Sequence, residues 1–120
     1  MARTDCDNSG FHALPFDKED AITRLGSEKL LRSVATMFLE NHPALMTDVR
    51  AAADSRNDSR LERAAHKLVS AMAYLSAPEA ISAASALEEL GREGKSAAAA
   101  EPLERLEEAI RRLSKALVEL

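Results

Sequence analysis

The chain has 120 residues and a mass of 13.0 kDa, enough for one domain with its own core and too short for two ordinary domains. Its 16 basic and 20 acidic residues leave a formal charge of −4, which lacks the basic footprint of a general nucleic-acid binder. No apolar run nears the ~18 residues that cross a bilayer, no secretory apolar region opens the chain, and the single cysteine, Cys6, cannot close an internal disulfide.

A cytoplasmic protein without nucleic-acid or membrane partners is therefore expected. Composition also bears on fold. The 23 Ala and 16 Leu stand against 3 Ile and 4 Val, so the best helix formers dominate and the β-branched residues that fill strands are scarce. An all-α domain follows.

Residues 1–15 show no periodicity and collect Asp, Asn, Ser and Gly, which reads as a flexible tail before a domain spanning 16–120. Asp17 is the expected N-cap of a short helix that stops at Gly26, and Ser27 the cap of the next. That second helix carries an apolar face of Leu31, Val34, Phe38, Leu45, Val49 and Ala52. Its phase survives Pro43, which predicts a local distortion and not an end. His42 reads as a capping or surface residue beside that proline.

Asp54–Asp58 forms a polar turn, and a third helix is expected from Ser59 to Leu75. Ser76-Ala77-Pro78 interrupts it, with Pro78 suited to the first turn of a fourth helix. The fourth helix should bury Ile81, Ala84 and Leu87, with Gly91 and Gly94 as its stop. Alanines of the 95–101 linker extend the last helix backwards in this reading. The last helix repeats Leu103, Leu106, Ile110, Leu113, Leu117 and Leu120. Fewer than three heptads favour packing inside a bundle over a dimer seam. The expected architecture is an antiparallel up-down four-helix bundle with a short additional N-terminal helix, and a monomer.

The third helix carries the chemistry. Advancing ~100° per residue from His66, Leu61, Ala65, Leu68, Met72 and Leu75 gather on the far side as the buried stripe. His66 shares its own side with Glu62, Arg63, Val69, Ser70 and Ala73, flanked by Lys67 and by Tyr74, which is expected to pack at the rim. The imidazole therefore points to solvent from the middle of a rigid helix. Ser70 and Ala73 are small enough to let another protein approach, and Arg63 and Lys67 supply positive charge. An imidazole near its ordinary pKa of ~6.5 is partly uncharged and nucleophilic at neutral pH. These features suit a phosphoryl acceptor, whose arriving charge nearby cations offset.

The stretch FLENHPALMTDVRAAADSRNDSRLERAAHKL, followed by ALEELGREG, carries a family likeness. Phe38-Leu39, a polar turn, Ala65-His66-x-Leu68 and the Leu87-Glu88 pair before a Gly stand in the order and spacing of a known pattern. From Phe16 to about Leu117 the chain resembles the histidine-containing phosphotransfer (HPt) domain family. The resemblance implies a four-helix bundle whose exposed histidine, here His66, carries phosphate on its outer ring nitrogen between the aspartates of receiver domains. It also implies a stoichiometric carrier without kinase activity of its own, partnered by a response-regulator receiver domain and a hybrid sensor kinase, with Mg²⁺ on the receiver and no cofactor here. Val69 stands where the family usually has a lysine, and Ser70 and Ser76 where it usually has glycines. Arg63, Lys67 and Ser70 are the expected supporting residues. Glu62, Val69 and Ala73 are the expected docking residues, on a face shared with the second helix.

Other chemistries find little footing. Cys6, His12, His42 and His66 do not converge as metal ligands, and Glu62 with His66 faces outward. No Gly-rich phosphate loop or nucleophile–base set appears. Glu88, Glu89, Glu104, Glu107 and Glu108 interleave with arginines and read as a solvated helix surface. A second reading stays beside the carrier: a degenerate docking module that binds a receiver or kinase without being phosphorylated.

Overall fold

The computed structural model describes residues 15–120. Apart from Pro15, the expected tail lies outside these residues, with Cys6 and His12. The described residues form α1 (Lys18–Leu25), α2 (Glu28–Asp54), α3 (Asp58–Met72), α4 (Pro78–Arg92) and α5 (Ala100–Val118), with a 3-10 turn at Ser96–Ala98. Among them there is no strand, and no helix is long and apolar enough to cross a membrane.

Local chemistry sets the ends of the early helices. Asp17 accepts the N–H of Asp20 at 3.0 Å, Ser27 that of Leu30 at 3.1 Å, and Asn57 that of Arg60 at 3.1 Å; each satisfies a donor that the first turn leaves orphaned. Gly26, at φ 94°, closes α1 in the left-handed region. Helix α2 runs on through Pro43, because Phe38, Met46 and Val49 lie buried on one stripe either side of it.

Helix α2 packs against α1, α3 and α5, α3 against α4, and α4 against α5, closing a ring of four around one core. Leu31, Leu61, Leu68, Met72, Leu75, Leu87, Leu106 and Leu113 fill it without exposed surface. Each such side chain contributes roughly 1.5–3 kcal/mol through burial. The stripe expected on the third helix, Leu61, Ala65, Leu68, Met72 and Leu75, is fully buried, so His66 is turned outward as the ~100° arithmetic requires.

Four expectations are corrected. Helix α3 ends at Met72, not Leu75, because the chain tightens through Ala73 N–H to Ser70 C=O and Leu75 N–H to Met72 C=O and turns at Ser76, φ 52°. That left-handed backbone is where a glycine is most at ease. Ser76 is held there by α1: its carbonyl accepts the Asp17 N–H at 2.8 Å, and its hydroxyl donates to the Asp20 carboxylate. Second, Gly91 lies inside α4 and is buried, so it is no helix stop; Gly94, at φ 73°, is the residue beyond the end. On α4 the buried set is Ala80, Ala83, Ala84, Leu87 and Gly91, with Ile81 only half-buried. Third, of the linker's alanines only Ala100 joins α5, which starts there with Pro102 in its first turn, while Ala97 and Ala98 lie in the separate 3-10 turn. Fourth, Tyr74 is 58% exposed and packs little at the rim.

His42 also departs from expectation. It is neither a cap nor a surface residue but a wedge between α2 and α5. Its ring stacks on Phe38 at 5.2 Å between centroids, and its Nε2 meets the Ser114 hydroxyl at 3.2 Å. Its buried Nδ1 has no hydrogen-bond partner, and burial pushes its pKa below the usual 6.5. Protonation would place an unpaired N–H⁺ in that wedge. The unfolded chain takes up this proton near pH 6.5 and the folded chain only below that. Stability is thus fully present above about pH 6.5 and falls as the pH drops toward the depressed value. Thermal melts between about pH 7.5 and 5 are expected to show this loss in the wild type and a flatter profile in His42→Phe; parallel profiles would contradict it.

Candidate functional site

His66 sits two turns into α3, its side chain 64% exposed. Helix α3 presents it rigidly because the opposite stripe is locked in the core. Its Nδ1 lies 2.9 Å from Oε2 of Glu88 on α4. A carboxylate accepts, so in the neutral ring a donating Nδ1 leaves the lone pair on Nε2. The contact thereby selects one tautomer and leaves Nε2 as the bare nitrogen.

Glu88 is itself held. Its side chain is only 17% exposed, and an Arg92 Nη2 lies 3.2 Å from the same Oε2. Arg92 also reaches Glu62 at 3.3 Å through Nε and pairs with Glu89. The guanidinium thus ties three carboxylates around the base of the histidine. Sequence reading took Glu88 for a solvated surface residue and assigned it no role. The available signal was its membership of the Leu87-Glu88 landmark, since spacing within one helix says nothing about contacts across to another.

The expected site residues divide in two. Arg63, Lys67, Ser70 and Ala73 are exposed around His66, and neither Arg63 nor Lys67 forms an ion pair among the described residues. Glu62 and Val69 are half-buried: Glu62 is engaged by Arg92 of α4, and Val69 packs against the core. His66 therefore has two unpaired cations within a turn and a satisfied carboxylate behind it. An uncharged imidazole so placed can attack an electrophile brought to Nε2, and the ring charge that then develops faces Glu88.

Among the described residues no three His, Cys, Asp or Glu side chains gather where they could hold a metal ion. The wedge of His42 lies on the α2–α5 seam, in a groove with Arg50, Glu107 and Arg111, apart from the His66 helix.

Comparison with known proteins gives one match. The family model of the Hpt domain matches residues 33–116, which takes in nearly all of α2, the whole of α3 and α4, and most of α5. No curated protein and no solved structure matches the chain. The matched segment contains His66, Glu88 and every exposed residue around the imidazole. The chain belongs to the Hpt domain family, whose members are helical phosphocarrier modules of phosphorelay signalling, rather than enzymes, and interact with receiver domains and kinases.

Proposed function

We propose that this protein carries a phosphoryl group on His66 Nε2 between receiver-domain aspartates in a multistep relay. The observation that carries this reading is the 2.9 Å contact of Nδ1 with the Glu88 carboxylate on a ring 64% exposed, since a neutral ring that donates there has its lone pair on Nε2. In the step, the Nε2 lone pair attacks the phosphorus of a receiver's aspartyl phosphate. The bond to the aspartate oxygen breaks, and its electron pair leaves with the carboxylate. The ring becomes an N-phosphoimidazolium that keeps its Nδ1 proton, and its positive charge is offset by the Glu88 carboxylate. Reversal returns the phosphoryl group to a second receiver. Mg²⁺ and most of the stabilisation of the transferring group belong to the receiver in this reading.

The domain is read as spanning 16–120, monomeric, cytoplasmic, and arranged as an antiparallel up-down four-helix bundle with α1 appended. Cross-helix pairs support that order: Asp48 with Arg60, His66 with Glu88, Glu79 with Arg112, and His42 with Ser114 beside Arg50 with Glu107. Where a seam carries two pairs, His42–Ser114 with Arg50–Glu107 and Glu62–Arg92 with His66–Glu88, one number rises as its partner's falls along the neighbouring helix. The docking face is read as Ser70 and Ala73 with exposed Tyr74 on α3, and exposed Leu30 and Met37 on α2. Counting from the Asp48–Arg60 pair brings Met37 level with the turn from Ser70 to Tyr74. Apolar side chains beside small ones suit a helix of the receiver pressing against the imidazole.

Arg63 is read as the cation that stands in for the lysine absent at Val69. Arg63→Ala is expected to slow transfer about two- to fivefold, as an exposed charge contact allows. Val69→Lys in that background should restore part of it, since a lysine stem can lie along the half-buried site with its ammonium in water. Unchanged rates in both variants would refute the compensation.

The competing reading, a docking module that is never phosphorylated, is favoured by Val69 and Ser70. A panel of phosphorylated receiver domains separates the two. Acid-labile label on the protein from at least one receiver supports the carrier. Binding to a receiver with no label from any of them would establish the docking module instead.

A further inference from the structure

We propose that Gly91 is a positioning residue for phosphoryl transfer: the side chain it lacks lets α3 and α4 meet backbone to backbone, and that contact sets Glu88 on His66 Nδ1. The inference rests on the reading of His66 as the phosphoryl acceptor.

A helix interior favours alanine over glycine, yet α4 carries a buried glycine one residue before its end. The reason lies across the seam. A Cβ on Gly91 would fall 2.6 Å from the Glu62 backbone nitrogen, 2.7 Å from the Asp58 carbonyl oxygen and 3.0 Å from the Glu62 Cα. All three are backbone atoms in the first turns of α3, so no rotamer change can clear them.

The place of this contact gives it consequence. Glu62 is one turn before His66 on α3, and Glu88 is three residues before Gly91 on α4. Gly91–Glu62 and Glu88–His66 are therefore successive rungs of one helix pair. Closing the first rung to backbone contact fixes the separation at the second, where Nδ1 and Oε2 stand 2.9 Å apart. Arg92, next to Gly91, binds Glu62 and Glu88 and so ties the same two rungs. A methyl group at 91 must push the helices apart by roughly 1 Å to reach ordinary contact, which takes the second rung beyond hydrogen-bond range. Without its acceptor, the ring spreads its proton over both nitrogens, and the share with a bare Nε2 falls.

The test compares the full chain with Gly91→Ala in two measurements. ¹⁵N chemical shifts of the His66 ring report the tautomer; transfer from a phosphorylated receiver domain reports the rate. The wild type is expected to hold the Nδ1–H tautomer. Gly91→Ala, with its helix content retained by circular dichroism, is expected to shift toward a tautomer mixture and lose about tenfold in rate. In a Glu88→Ala background, Gly91→Ala should add little further loss, because both act through one contact. A folded Gly91→Ala with wild-type tautomer and rate overturns the proposal, and so does a full additional loss in the Glu88→Ala background. Should the variant not fold, the wild type still decides: a ring without preference for Nδ1–H overturns it. A wild type that holds the tautomer but accepts no phosphoryl group would sink the carrier reading instead.

Discussion

Replacing His66 with Gln is expected to remove all acid-labile phosphoryl label while leaving the bundle folded. The loss should be complete because the reaction needs a nitrogen lone pair on α3 facing solvent, and an amide offers none of comparable nucleophilicity. None of the neighbouring side chains supplies a substitute: Arg63 and Lys67 are cations, Ser70 is a hydroxyl without a base, and Ala73 is inert. The fold should survive because His66 is 64% exposed and outside the core, and Gln can still donate to Glu88 from its amide. Substitutions of this kind cost within about 0.5 kcal/mol, a change of a few degrees at most in melting temperature. Binding to a cognate receiver should persist, which separates lost chemistry from lost docking. Label retained on His66→Gln would place the acceptor elsewhere.

The second large effect is expected at Glu88. Glu88→Ala removes the only acceptor on Nδ1 among the described residues and the carboxylate that offsets ring charge as the phosphoryl group arrives. A hydrogen bond to a charged group is worth about 1.5–3 kcal/mol, so transfer should slow by roughly 10- to 100-fold. Glu88→Gln is the informative partner. Its amide oxygen still accepts the Nδ1 proton, so the tautomer is kept while the negative charge is lost. An intermediate rate in Glu88→Gln would divide the effect between orientation and charge. Equal rates in wild type, Glu88→Ala and Glu88→Gln would leave Glu88 without a role. Arg92 keeps Glu62 and Glu89 as partners in both variants, which limits disturbance of the helix pair.

Much of this was legible in the sequence, and what was not has a definite physical cause. The burial of Leu61, Ala65, Leu68, Met72 and Leu75, and with it the outward aim of His66, follows from helical period alone, because one face of a helix must enter the core. The caps at Asp17 and Ser27 and the stop at Gly26 follow from the unpaired groups at helix ends. Contacts across helices were hidden. Glu88 has the composition of a surface residue, and only the seam between α3 and α4 turns it into the partner of His66. Gly91 carried a true signal with two causes, since a glycine near a helix end marks either a stop or a close approach. The backbone of Glu62 decides for the second. His42 was misread for the same reason: Phe38 stands one turn before it on α2 and was legible from helical period, but nothing within α2 announces Ser114 opposite. Ser76 was visible only as a departure from the family's glycine, and its left-handed backbone gives that departure its physical sense.

The most direct test of the account is to locate the phosphoryl group by atom. The wild type, labelled from a phosphorylated receiver and examined by ³¹P and ¹⁵N NMR, is expected to carry phosphorus on Nε2 of His66, with Nδ1 still protonated against Glu88. Phosphorus on Nδ1, or on any other residue, would contradict the account at its centre.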